Sequence, residues 1–229
     1  MGKWMRPQLA FFTARKTLTE WDTETLTMLM GGGHLRDVTE LDFIDTNVGD
    51  VNGVSIVKLL GDGAMPKLST LGFFQAGVGD EVAKALAQAI TALPQLEVLD
   101  LAYNAIREEA LSTLLGALYQ EAPRLTELHL NGNTSCTDGS FLAFVALAAR
   151  PCALPCINEI SLFAASGRAY DALSQALSGG ALPSLQKLCL EDATHNDDLP
   201  AELLCVCAER EIQLDYPARY IVPLLPSME

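Results

Sequence analysis

Six times along this 229-residue chain the same apolar spacing returns. Segments beginning at Val38, Leu68, Leu96, Leu125, Ile157 and Leu185 each read apolar-x-x-apolar-x-apolar, at intervals of 30, 28, 29, 32 and 28 residues. A unit of that length cannot bury its apolar face alone, so neighbouring units must stack, and the stack is one domain rather than several. The alternation within each segment, as in Leu99 and Leu101, predicts a short strand. Downstream, Leu111, Leu114, Leu115 and Leu118, or Val82, Ala85, Leu86, Ala89 and Ile90, follow the i, i+3, i+4 spacing of a helix. Turns at Met65-Pro66, Leu93-Pro94, Ala122-Pro123, Leu154-Pro155 and Leu182-Pro183 close the units, because proline cannot continue a helix. A shorter seventh unit ends the series with Ile212 and Leu214.

Two stretches, LEVLDLAYNAI from Leu96 to Ile106 and LTELHLNGN from Leu125 to Asn133, carry the pattern L-x-x-L-x-L-x-x-N. On these residues the chain resembles the leucine-rich repeats, and its period is similar to that of their ribonuclease-inhibitor-like class. The resemblance covers about residues 38–216 and implies an α/β solenoid. This is a horseshoe of about six full repeats plus a short terminal one, with a parallel sheet on the concave face and helices on the convex face. The ladder asparagine stands only at Asn104 and Asn133. Thr46, Ala76, Ala165 and Ala193 replace it elsewhere, so those loops must satisfy their backbone differently.

Outside the repeats, residues 1–16 form a basic segment, 17–37 a cap helix and loop, and 217–229 a C-terminal cap or tail. Asp22 is the expected N-cap of the cap helix and Gly31-Gly32-Gly33 its stop. Lys3, Arg6, Arg15 and Lys16 stand against Glu20 alone, which reads either as a cap packing Trp4, Phe11 and Phe12 on the first repeat or as a mitochondrial presequence. Cytoplasm is the expected compartment and the mitochondrion the alternative.

With 49% apolar and 19% charged residues the chain has the composition of a packed domain and not of a disordered one. No apolar run is long enough to span a membrane. A formal charge of −14 argues against direct nucleic-acid binding and for a basic protein partner. Cys136, Cys152, Cys156, Cys189, Cys205 and Cys207 come without a secretion signal, so free thiols are expected. Their spacing does not suit a metal site, and no cofactor is expected.

Strand side chains alternate faces, so the residues between the core positions line the other face of the sheet. The first such column reads Glu40, Thr70, Val98, Glu127, Glu159, Lys187 and Glu211, and the second Asp42, Gly72, Asp100, His129, Ser161, Cys189 and Gln213. Beyond them come Phe74, Tyr103, Phe163, Glu191, Asp192, Asp215 and Tyr216. Aromatic anchors within an acidic field suit a positively charged partner, so Asp42, Phe74, Asp100, Tyr103, Glu127, His129, Glu159, Phe163, Glu191, Asp192, Asp215 and Tyr216 are the expected binding residues.

The expected function is therefore that of a non-enzymatic interaction module or scaffold. Two other readings stand beside it. Asp100, His129 and Ser161 share a column on successive strands, as a nucleophilic hydrolase would need, although Ser161 sits on a regular strand with no oxyanion hole in view. The family resemblance also extends to Ran GTPase-activating proteins, a class of GTPase regulator, yet the nearest arginines, Arg36 and Arg107, lie outside the columns. Finally, the helix from Ser140 to Ala149 is apolar almost all round. If Leu142, Val145 and Ala146 face the core, Phe141 and Phe144 point outward as a second contact surface.

Overall fold

The computed structural model of the chain describes residues 8–10, 20–133, 136–163, 165–190 and 199–215, with the side chains of 8–10 and 20–23 left aside. The elements run β1 (Gln8–Ala10), α1 (Glu20–Gly31), β2 (Glu40–Asp42), α2 (Gly49–Gly61), β3 (Thr70–Gly72), α3 (Asp80–Ala89) and β4 (Val98–Asp100). They continue α4 (Glu108–Glu121), β5 (Glu127–His129), α5 (Asp138–Ala148), β6 (Glu159–Leu162), α6 (Gly167–Ser178), β7 (Lys187–Leu190), α7 (Ala201–Glu209) and β8 (Gln213–Asp215). All eight strands pair in parallel, in strictly sequential order from β1 to β8. Among the described residues each crossover contains one α-helix, with a 3-10 turn at Ile90–Ala92 added after α3, so the architecture is α/β with every unit lying against its neighbours in the chain.

Leu41, Leu71, Leu99, Leu128, Ile160 and Leu188 stand in one register row and are buried under the helices, each contributing about 2 kcal/mol of transfer free energy. The row after it holds Phe43 and Phe73, whose rings stack at 5.1 Å, then Leu101, Leu130, Leu162 and Leu190. The unit boundaries also repeat. The N–H groups of Leu68, Leu96, Leu125, Ile157 and Leu185 donate to the carbonyls of Met65, Leu93, Ala122, Leu154 and Leu182. Each boundary is thus a β-turn with proline in its second position, where a fixed φ suits the chain.

The ladder asparagines hold the loops of the units before them. Asn104 accepts the Val78 N–H at 3.1 Å and donates to Phe73 O at 2.7 Å, as well as to the Leu101 and Ala102 carbonyls. Asn133 accepts the Ile106 N–H and donates to the Leu101 and Leu130 carbonyls. The loop around Ala76, which lacks its own asparagine, is therefore served by Asn104 from the next unit. No buried side-chain nitrogen or oxygen lacks a partner among the described residues.

A second joint recurs at the helix starts. Asp50 in α2 accepts the N–H of Gly79, which precedes α3, at 2.7 Å, and Asp80 in α3 accepts the N–H of Arg107, which precedes α4, at 2.8 Å. Glu108 in α4 accepts the Thr137 hydroxyl ahead of α5, and Asp138 in α5 accepts both the N–H and the hydroxyl of Ser166 ahead of α6. In α2 to α5 the first-turn carboxylate thus sits at the positive end of its own helix and of the next. Between α6 and α7 the joint changes. Arg210, just after α7, donates to the carbonyl of Leu177 at the C-terminal end of α6 and to those of Ala181 and Leu182 in the loop that follows.

Gln8–Ala10 of the basic N-terminal segment form a strand, β1, which pairs with β2 and extends the sheet by one. Three expectations are corrected. The cap helix α1 begins at Glu20, so Asp22 is its third residue and not its N-cap. The last strand is registered two residues later than the pattern suggested, with Gln213 beside Lys187, Leu214 beside Leu188 and Asp215 beside Cys189. Phe141 and Phe144 are buried and do not form an outer surface, because the large rings fill the core. Phe141 meets Phe163 and Tyr170 edge-on at 6.1 and 5.6 Å, while Ala146 faces out.

Candidate functional site

The face of the sheet opposite the helices carries the expected columns. Glu40, Thr70, Val98, Glu127, Glu159, Lys187 and Gln213 form one register row. Asp42, Gly72, Asp100, His129, Ser161, Cys189 and Asp215 form the next. Asp215 therefore joins the same row as Asp100 and His129.

Two glycines shape the β2–β5 half. A Cβ on Gly72 would fall within 2.5 Å of Asp42 Oδ1, so the bare Cα gives room for the Asp42 carboxylate to lean across β3 toward Asp100. Asp42 Oδ1 accepts the Ile44 N–H and Asp100 Oδ1 accepts the Ala102 N–H, which fixes both carboxylates on the face. Burial pushes the Asp42 carboxyl above the usual aspartate range, and the Asp100 charge adds to that rise; burial likewise raises Asp100, against the pull of His129. Further out, Phe74 and Tyr103 pack with ring centroids 5.3 Å apart at 54°. Tyr103 lies over Gly132, where a Cβ would come within 2.6 Å of the ring. Asp45, Gln75, Tyr103 and Gly132 share a left-handed backbone at equivalent positions, so that conformation belongs to the turn.

The β6–β8 half is arranged differently. Lys187 Nζ lies 2.7 Å from Glu159 and 3.6 Å from Asp215, so one ammonium serves two carboxylates. Between the halves, His129 Nδ1 is 3.0 Å from Ser161 Oγ and its Nε2 is 3.6 Å from Glu127. The row a hydrolase would need is thus in register, but a hydrogen bond joins His129 and Ser161 while Asp100 accepts from the Ala102 N–H. Ser161 is buried within regular strand β6.

Asp42, Phe74, Asp100, Tyr103, Glu127, His129, Glu159 and Asp215 therefore share the open face. Phe163 does not, since it is only 2% exposed and packs into the core against Phe141. Glu191, Asp192 and Tyr216 lie outside the described residues. Sequence reasoning missed the role of Lys187 as an internal counter-ion. Its signal was present, because registering Leu214 on Leu188 brings Asp215 next to it. Arg107 lies beside the Asp80 carboxylate at 3.6 Å, away from this face.

All six cysteines are free thiols, and burial pushes Cys136 and Cys207 up to about 11, where the nucleophilic thiolate is scarce. Among the described residues no group of three or more His, Cys, Asp or Glu is placed to hold a metal ion. No described helix is long and apolar enough to cross a membrane. Neither a scan against protein-family models nor a search of curated proteins returns a match to this chain.

Proposed function

We propose that this chain is a leucine-rich-repeat interaction module of the ribonuclease-inhibitor-like kind, non-enzymatic, which holds a basic protein partner on the concave, strand-lined face. One observation carries the reading: two half-buried carboxylates, Asp42 and Asp100, stand in one register row with only the bare Gly72 between them, on the face that also carries the paired rings of Phe74 and Tyr103. Like charges kept close and partly desolvated cost stability, and an approaching cation offsets that cost while the rings exclude water. The strictly sequential stack supports the repeat assignment, and so do the asparagine bonds at Asn104 and Asn133 and the turn at each unit boundary.

Capture from native extract at low and high salt tests this reading, with wild type compared against a Phe74→Ala/Tyr103→Ala variant. A basic protein retained by wild type, released by salt and lost from the variant is the expected result. Partners retained equally by the variant would move the working surface off this face.

A further inference from the structure

Among the described residues, charge is divided unequally over the open face. On β6–β8 Glu159 and Asp215 are already answered from within, since Lys187 contacts both. On β2–β5 the space above Gly72 lets Asp42 lean toward Asp100, and the Phe74–Tyr103 pair stands alongside. Ile44, at the outward end of β2, is 38% exposed and widens the apolar margin of the same half.

We propose that the β2–β5 half is a docking site for a short, extended, arginine-bearing segment of a partner protein, and that the β6–β8 half contributes no ionic contact. The proposal deepens the reading of the chain as an interaction module and rests on it. Three features select arginine. Its planar guanidinium can bridge two carboxylates through paired N–H donors, whereas an ammonium acts as a point charge. It is weakly hydrated, so it enters a half-buried setting at lower cost. It also stacks on aromatic faces such as those of Phe74 and Tyr103. The footprint is small: four strands span about 14 Å, the length of about four extended residues. A guanidinium between Asp42 and Asp100 would also relieve the mutual repulsion that helps raise the Asp42 carboxyl.

The test uses the full chain and a fluorescent peptide of sequence Gly-Arg-Gly-Arg-Gly with blocked ends, beside versions carrying lysine or the uncharged isostere citrulline. Binding is read by anisotropy. The arginine peptide is expected to bind roughly tenfold more tightly than the citrulline peptide, and about threefold more tightly than the lysine peptide. An Asp42→Asn/Asp100→Asn variant is expected to lose roughly tenfold in affinity, and Asp215→Asn to stay within about twofold of wild type. Equal binding of the arginine and citrulline peptides overturns the proposal. So does failure of the arginine peptide to bind, or a loss in Asp215→Asn as large as in the double variant. If extract capture still requires Phe74 and Tyr103 while the arginine peptide fails, the module reading stands and the arginine inference falls. If the peptide results hold but capture ignores the two rings, the opposite conclusion follows.

Discussion

The units from α2 to α6 and the final unit of α7 and β8 are joined by opposite means. In the first region a carboxylate at the start of one helix receives the start of the next, four times over, through Asp50, Asp80, Glu108 and Asp138. At the last junction, among the described residues, a guanidinium, Arg210, donates to one carbonyl at the end of α6 and to two in the loop that follows it. Both devices answer the same fact, that helix ends leave backbone groups unpaired and partially charged. The difference shows that the repeat fixes which groups need partners and leaves open which side chain supplies them. The central joints spread the task over several acids, and the last concentrates it in one residue.

The largest expected effect lies in the central region. Asn104→Ala orphans the buried Val78 N–H and removes one donor each from the Phe73, Leu101 and Ala102 carbonyls, and a loss of about 3 kcal/mol in urea unfolding is expected. Next comes Arg210→Ala, expected to cost about 2 kcal/mol. Hydrogen exchange should then quicken first at Ile212 and Gln213, whose N–H groups bond within the last unit and to Gln186. Uniform quickening across all units would break the comparison. Asp80→Ala removes one acid of four and is expected to cost about 1 kcal/mol, with no single unit fraying ahead of the others.

The smallest effects have opposite signs with pH. Hydrogen bonds from Ser166 hold the Asp138 carboxyl below its ordinary range, so its stabilisation is present above the unfolded-state pKa and is lost as pH falls through the lower folded value. Asp138→Asn should therefore differ most from wild type near neutral pH and converge with it in acid. Asp42 and Asp100 are raised, so their ionised forms destabilise the fold at neutral pH, and the cost disappears as pH falls through the raised values. Asp42→Asn should gain a few tenths of a kcal/mol at pH 7 and nothing in acid. Thermal melts across pH decide both, and matching signs for the two variants would contradict the assignment of causes.

Strand and helix positions were legible because apolar periodicity changes from two to 3.6 within every unit. Where that signal vanished, the reading failed. The helix α5 is apolar on nearly every side, so its sequence holds no phase, and ring volume decided that Phe141 and Phe144 face inward. Ile212-x-Leu214 fits two registers, and main-chain pairing with β7 selected the one that carries Asp215 to Lys187. Extending strict alternation past the end of β6 placed Phe163 outside, whereas β6 ends at Leu162 and the Phe163 ring enters the core. The acidic columns at Asp42 and Asp100 needed only alternation and could be read directly. The leaning of Asp42 over Gly72 depends on a neighbour one unit away, which a single strand's pattern does not contain.

The carboxylate joints run in one direction, each acid preceding in the chain the helix start that it receives. During synthesis from the N-terminus, each new helix start therefore emerges after the group that will hold it has already been made. The stack can be laid down like masonry, every course ready before the next arrives, until the last course, which reaches back with Arg210 to clamp the one before it.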